Sequence, residues 1–328
     1  MTTFNETYIN NPNIQLLQID NENKKTYLNI IDRVDRLGTN LLNYISQINH
    51  AYNNNWFIKY DPNMSYNNSV FVKCLIEFID LYNETLERSY SNKVIEDTQE
   101  IEICKKHDLN YTTAFTVVHL KCDLISYFKK YIYENVRYYL DKHTLTLGYQ
   151  VPFDPKKTIL VHLRLEDVRT WPHYDGSICC AHYAVRINQG KECEYSSFGW
   201  NFNRQTPMPN DIIQRQIDAA LKKYPNHEVI IVTSPGDYPT GFKYRDIRSN
   251  DENYDLFLLC NSEVVILSRS NFSLCALFYG IVKEAYVPMW GHLSCLGPCT
   301  KYDKCKFNYY FWSLSINISF ETFLIILS

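Results

Sequence analysis

The chain has 328 residues, 45% of them apolar, which is enough for two domains of ordinary size and a sizeable core. Its formal charge is only -3, its pI is about 6.3, and no long basic run occurs, so nucleic acid is not an expected partner. The richness in Asn, Ile and Tyr, with 27 Tyr against 10 Gly, fits coding by an AT-rich genome and carries no mechanism.

Residues 1–25 lack strong periodicity and read as a loose arm, with no apolar core of a secretory signal over Met1–Asn13. Tyr27–Val34 reads as a strand that ends at Asp35-Arg36-Leu37-Gly38. Apolar residues at Leu41, Tyr44, Ile45, Ile48 and Tyr52 then have helical spacing. Trp56-Phe57-Ile58 reads as a second strand, and Pro62–Asn68 as a loop. Helical stripes follow over Val70–Tyr82 and Asp123–Leu140. Two prolines and a glycine in Gly148–Pro155 mark a domain boundary, so residues 26–150 form one α/β domain and 151–328 a second.

The second half alternates strands with helices. Strands are expected at Thr158–Leu163, Glu228–Thr233, Glu263–Leu267 and, as the last, Glu284–Val287. Helices are expected at Asp211–Tyr224, Asn253–Cys260 and Phe272–Ile281. Strands this uniformly apolar indicate a parallel sheet covered on both faces, and ligands bind such sheets beyond the carboxyl ends of the strands.

Three strand ends are polar. The first runs into His162-Leu163-Arg164-Leu165-Glu166-Asp167. The donor fork of Arg164 suits phosphate oxygens, and it equally suits a salt bridge with Glu166 or Asp167. The second runs into Ser234-Pro235-Gly236-Asp237, which could meet a ribose or form an ordinary turn. The third runs into Ser268-Arg269-Ser270-Asn271-Phe272-Ser273 and then a helix. Hydroxyls and amides at a helix start suit an anion, and Ser270 or Asn271 also suits simple capping.

Asp-x-Asp, the dinucleotide glycine fingerprint, the P-loop and the Gly-x-Ser-x-Gly elbow do not occur in the sequence. His292, Cys295, Cys299 and Cys305 form a metal-like group without the paired Cys-x-x-Cys spacing of zinc sites, so free thiols are expected there. The odd total of 11 cysteines, the lack of a leader and the shortness of the apolar tail Phe320–Ser328 make a cytoplasmic protein without a membrane span the expectation.

The spacing His162-x-Arg164-x-x-Asp167 resembles the His-x-Arg motif of the α1,2-, α1,6- and protein O-fucosyltransferases, with Leu165 where the longer motif has a second Arg. Asp255, the strand that follows it and the Ser268–Ser273 segment resemble a second stretch of that superfamily. Arg36-Leu37-Gly38-Thr39-Asn40 is similar to its Gly-x-x-Asn loop. The overall composition resembles that of proteins from large DNA viruses.

The resemblance implies a GT-B-like α/β fold, two Rossmann-like domains facing a cleft, with residues 26–150 on the acceptor side and 151–328 binding the nucleotide sugar. It implies metal-independent, inverting transfer from the donor substrate GDP-fucose to a glycan or protein hydroxyl, with no cofactor. Arg164 would then stabilise the departing phosphate, and Asp167, His173 or Asp175 would serve as base. His162, Gly38, Asn40, Ser234, Asp237, Asp255, Ser268, Ser270, Asn271, Phe272 and Ser273 would surround the donor. Another nucleotide sugar, or a non-catalytic binding protein of the same fold, is the alternative.

Overall fold

The computed structural model describes residues 14, 16, 24–32, 36–90, 97–101, 124–164, 208, 210–236, 240–288 and 305–310. In the first half, β1 (Lys24–Asn29) lies between β2 (Phe57–Lys59) and β3 (Asp97–Ile101) in a small parallel sheet. Its helices are α1 (Leu37–Asn53), α2 (Val70–Tyr90), α3 (Leu124–Tyr131) and α4 (Tyr133–Thr146).

The second half holds β4 (Thr158–Leu163), α5 (Asn210–Lys223), β5 (Glu228–Thr233), β6 (Arg245–Arg248), α6 (Glu252–Cys260), β7 (Val264–Ile266), α7 (Asn271–Tyr279), β8 (Glu284–Pro288) and β9 (Lys306–Tyr310). All six strands run parallel, in the spatial order β6-β5-β4-β7-β8-β9. Counted from β4, that order is third, second, first, fourth, fifth, sixth: the doubly wound arrangement of dinucleotide-type sheets.

Side-chain alternation assigns the two faces. Ile159, Val161, Val229, Ile231, Val264 and Ile266 pack with Ile213, Ile217 and Ala220 of α5. Leu160, Ile230, Val232, Val265 and Leu267 belong to a second cluster, together with α6, α7 and the helices of the first half. That cluster continues without a break past residues 148–155, where the sequence places a boundary. Phe71 of α2 meets Tyr279 of α7 edge-on at 5.0 Å, and Phe128 of α3 meets Phe278 of α7 at 5.6 Å.

Several expectations need correction. Residues 37–40, expected as a loop, form the first turn of α1, because the i, i+4 apolar spacing from Leu37 to Leu41 and Ile45 extends the helix backwards, and the Asn40 amide donates to the Arg36 carbonyl at 3.1 Å. The single helix expected over Asp123–Leu140 is interrupted at Ile132, although hydrogen bonds cross the interruption and Phe128, Ile132, Val136 and Leu140 stay fully buried in one stripe. The expected last strand at Glu284 is followed by β9 on its outer side. β3, β6 and β9 escape detection because charged or polar residues break their apolar pattern, as in the edge strand Arg-Asp-Ile-Arg of β6.

Candidate functional site

The order of the strands reverses direction between β4 and β7, and ligands of doubly wound sheets bind beyond the carboxyl ends of the strands at such a point. Val161 of β4 is registered with Ile266 of β7, the last pair between these strands, so His162–Arg164, still paired with β5 through Leu163, and Leu267–Ser270 run on beside each other past it. Leu160, His162 and Arg164 alternate onto the face that α7 covers.

His162 is buried, and its Nδ1 lies 2.6 Å from Ser268 Oγ. Its ring sits 5.6 Å from that of Phe272, tilted by 39°. Burial pushes its pKa down to about 3, with the charge of Arg164 acting in the same direction, so the imidazole is neutral at physiological pH. Arg164 is half-buried and donates from Nη1 to the Arg269 carbonyl at 3.3 Å.

α7 begins at this edge. Ser270 caps it, its Oγ accepting from the Phe272 amide at 3.2 Å, which settles the choice between Ser270 and Asn271. Asn271 instead donates from Nδ2 across to Thr39 Oγ1 on α1 at 3.1 Å. Ser273 donates to the carbonyls of Ser268 and Ser270 and so tightens the turn.

Gly38 lies directly against this turn. A Cβ there would stand 2.3 Å from the Phe272 nitrogen and 2.4 Å from its Cα, so only glycine lets the two backbones meet. The first turns of α1 and α7 are therefore in contact, and neither contains an acidic residue. Helix N-termini each carry roughly half a positive charge, and unpaired amides there seek an anion. Arg164 and the buried Arg269 stand beside them, which sets two guanidinium groups next to two helix N-termini.

The other expected residues are placed as follows. Asn40 is fully buried, with its Nδ2 turned back to the Arg36 carbonyl at 3.4 Å. Ser234 follows β5, one strand away from β4, and is half-buried. Asp255 is buried in the first turn of α6, where its Oδ1 accepts from Ser249 Oγ at 2.8 Å and closes the β6–α6 turn. Asp167, Asp237, His173, Asp175, His292, Cys295 and Cys299 lie outside the described residues.

Cys74, Cys260, Cys275 and Cys305 are free thiols, and burial raises the pKa of each. Among the described residues, no group of three His, Cys, Asp or Glu side chains is arranged to hold a metal ion. No helix among them is long and apolar enough to cross a membrane.

Thr39 and Arg269 belong to this site, and sequence reasoning missed both. The neighbours of Thr39 resemble a motif, but its partner Asn271 is 232 residues away. Arg269 stands inside a segment read for its hydroxyls, and its burial at 5% exposure was the signal that a sequence does not carry.

No known family's sequence model matches the chain, and no curated protein matches it. Solved structures similar to it include POFUT1, a protein O-fucosyltransferase, in complex with GDP-fucose, at 10% identity over 88% of this chain and 74% of that one, with a TM-score of 0.28. Another is POFUT1 in complex with GDP, at 11% identity over the same shares, with a TM-score of 0.29. The apo form of POFUT1 matches at 9% identity over 87% of this chain and 74% of that one, with a TM-score of 0.28. The chain is a mixed α/β protein with parallel sheets.

Proposed function

We propose that the chain is a fucosyltransferase-like glycosyltransferase that binds GDP-fucose at the β4–β7 switch point and transfers fucose, with inversion, to a hydroxyl of a glycan or protein. The observation that carries this reading is the convergence of separate motifs. His162-x-Arg164, the Ser268–Ser273 segment and Gly38 are distant in sequence, yet they meet at the one place where a doubly wound sheet binds nucleotides.

In the proposed reaction the bond between the anomeric carbon and the β-phosphate oxygen breaks, the acceptor oxygen bonds to that carbon, and the acceptor proton passes to a base. Negative charge grows on the departing phosphate, where fixed donors contribute most to the rate. Arg164 supplies a charged donor fork, and the amides at the start of α7 supply uncharged ones. Their positive potential substitutes for a cation, which matches the missing Asp-x-Asp. Asp167 remains the proposed base, and His162, buried with its Nδ1 on Ser268 Oγ, is not assigned that role.

GDP should stabilise the protein by about 3 kcal/mol at roughly a hundred times its dissociation constant, UDP by much less, and a chelator should change neither result. Thermal unfolding with each nucleotide, with and without EDTA, checks this. Equal shifts with UDP point to another nucleotide sugar, binding without GDP release points to a binding protein, and a strict need for added manganese or magnesium refutes the metal-free reading.

A further inference from the structure

His162 has the geometry of a link in a chain of contacts. Its ring is wedged between Ser268 Oγ at 2.6 Å and the Phe272 ring at 5.6 Å. The Ser268 carbonyl in turn accepts from the Ser270 amide at 2.8 Å and from Ser273 Oγ at 3.3 Å. One unbroken path therefore runs from β4 through the turn to the first amides of α7. The ring is 8% exposed and has Arg164 two residues along the same face, so a proton on it would be both buried and repelled.

We infer that His162 is a positioning residue: its imidazole holds Ser268, and through Ser268 the turn that presents the α7 amides, and it moves no proton in the reaction. The consequence for turnover rests on the donor-site reading above, whereas the contact itself does not. Only one ring nitrogen of a neutral imidazole carries a hydrogen, so the bond to Ser268 also selects the tautomer. Misplacing reacting groups by about 1 Å costs on the order of 10²-fold in rate, which sets the scale of the effect.

Two measurements on the full chain test the inference. In ¹⁵N-histidine spectra, His162 is identified by the signal lost in His162→Asn. It should show one neutral tautomer with constant shifts from about pH 5 to 8, and those shifts should move in Ser268→Ala. A midpoint within that range, or indifference to Ser268→Ala, overturns the inference whatever the ligand is.

The second measurement is GDP-fucose turnover. His162→Phe keeps an aromatic ring and loses the hydrogen bond, so kcat should fall about 100-fold. Ser268→Ala should cost a similar factor, and the double variant should be no worse than either single one, because both break the same link. His162→Asn, whose amide can reach Ser268, should recover about tenfold of the loss and leave the limbs of the pH profile in place. Multiplicative losses would show that His162 and Ser268 act independently, a limb that vanishes in His162→Asn would assign proton transfer to His162, and either overturns the inference. Intact spectral coupling in a wild-type protein that turns over no GDP-fucose counts against the donor reading alone.

Discussion

Arg164 follows β4 at the switch point, where it donates to the Arg269 backbone carbonyl. If it stabilises the departing phosphate, Arg164→Ala should lower turnover by roughly 10²–10³-fold, as loss of an oxyanion donor does. Arg164→Lys should recover only part of this, since a point charge cannot reproduce the planar fork. Melting temperature measured on the same variants separates this role from a structural one: a structural arginine would cost stability and spare turnover in the folded fraction. Fully active Arg164→Ala would remove the residue from the mechanism. At this scale His-x-Arg stood out through its resemblance to a fucosyltransferase motif, since an arginine at the end of an apolar strand equally suits a structural salt bridge. Arg269 was not legible, because nothing in its neighbours distinguishes a buried arginine from an exposed one.

Among the elements, α7 is bound at both ends by the first half. Its start rests on Gly38 and Thr39. At its end, Arg137 of α4 donates to the Tyr279 carbonyl at 3.3 Å and to Asn261 Oδ1 at 2.7 Å, and Lys129 of α3 donates to the Gly280 carbonyl. Cations suit a helix C-terminus, and Lys129 also lies 3.6 Å from the Tyr133 ring centre. Burial nevertheless outweighs these attractions and pushes its pKa down to about 7, helped by Arg137 and opposed by Cys260, Cys305 and Glu134.

The sign of the stability effect follows from proton counts. The unfolded chain keeps the lysine proton up to its ordinary pKa near 10.5, whereas the folded protein gives it up around 7. Stability should therefore rise with pH across this window, by about 1 kcal/mol between roughly pH 6.5 and 8. Above that range the buried cysteines act the other way, because their raised pKa values make stability fall once unfolded thiols ionise. Urea unfolding at the two pH values checks this, and Lys129→Met should shrink the difference by that amount. An unchanged difference in the variant would place the proton elsewhere.

The elements themselves were legible where pattern and burial agree. β4, β5, β7 and β8 are continuous apolar runs between α/β punctuation, and the structure has them within a residue or two of where they were expected. Their spatial order was not legible, because parallel pairing is set by contacts between segments up to a hundred residues apart. The switch point is a property of that order, and so only the structure could locate it.

For the whole molecule, the continuous cluster from Ile14 to Val287 predicts that heat or denaturant unfolds both halves together. Circular dichroism and tryptophan fluorescence should give coincident transitions. Two separated transitions would show that the halves behave as independent units, as the boundary at 148–155 suggests.

The sequence of α7, Asn-Phe-Ser-Leu-Cys-Ala-Leu-Phe-Tyr, has no polar stripe beyond its first turn, and Cys275 through Tyr279 are buried all round. A helix of this kind cannot form the outer wall of a free-standing domain. Residues 151–328 expressed alone would present Phe278 and Tyr279 to water and would self-associate or bind hydrophobic dyes. The same holds for recombination between homologues: a crossover at the boundary joins one chain's α7 to another's α1–α4. A glycine seam and aromatic contacts this close leave little room for mismatch, so the two halves are constrained to diverge as a matched pair.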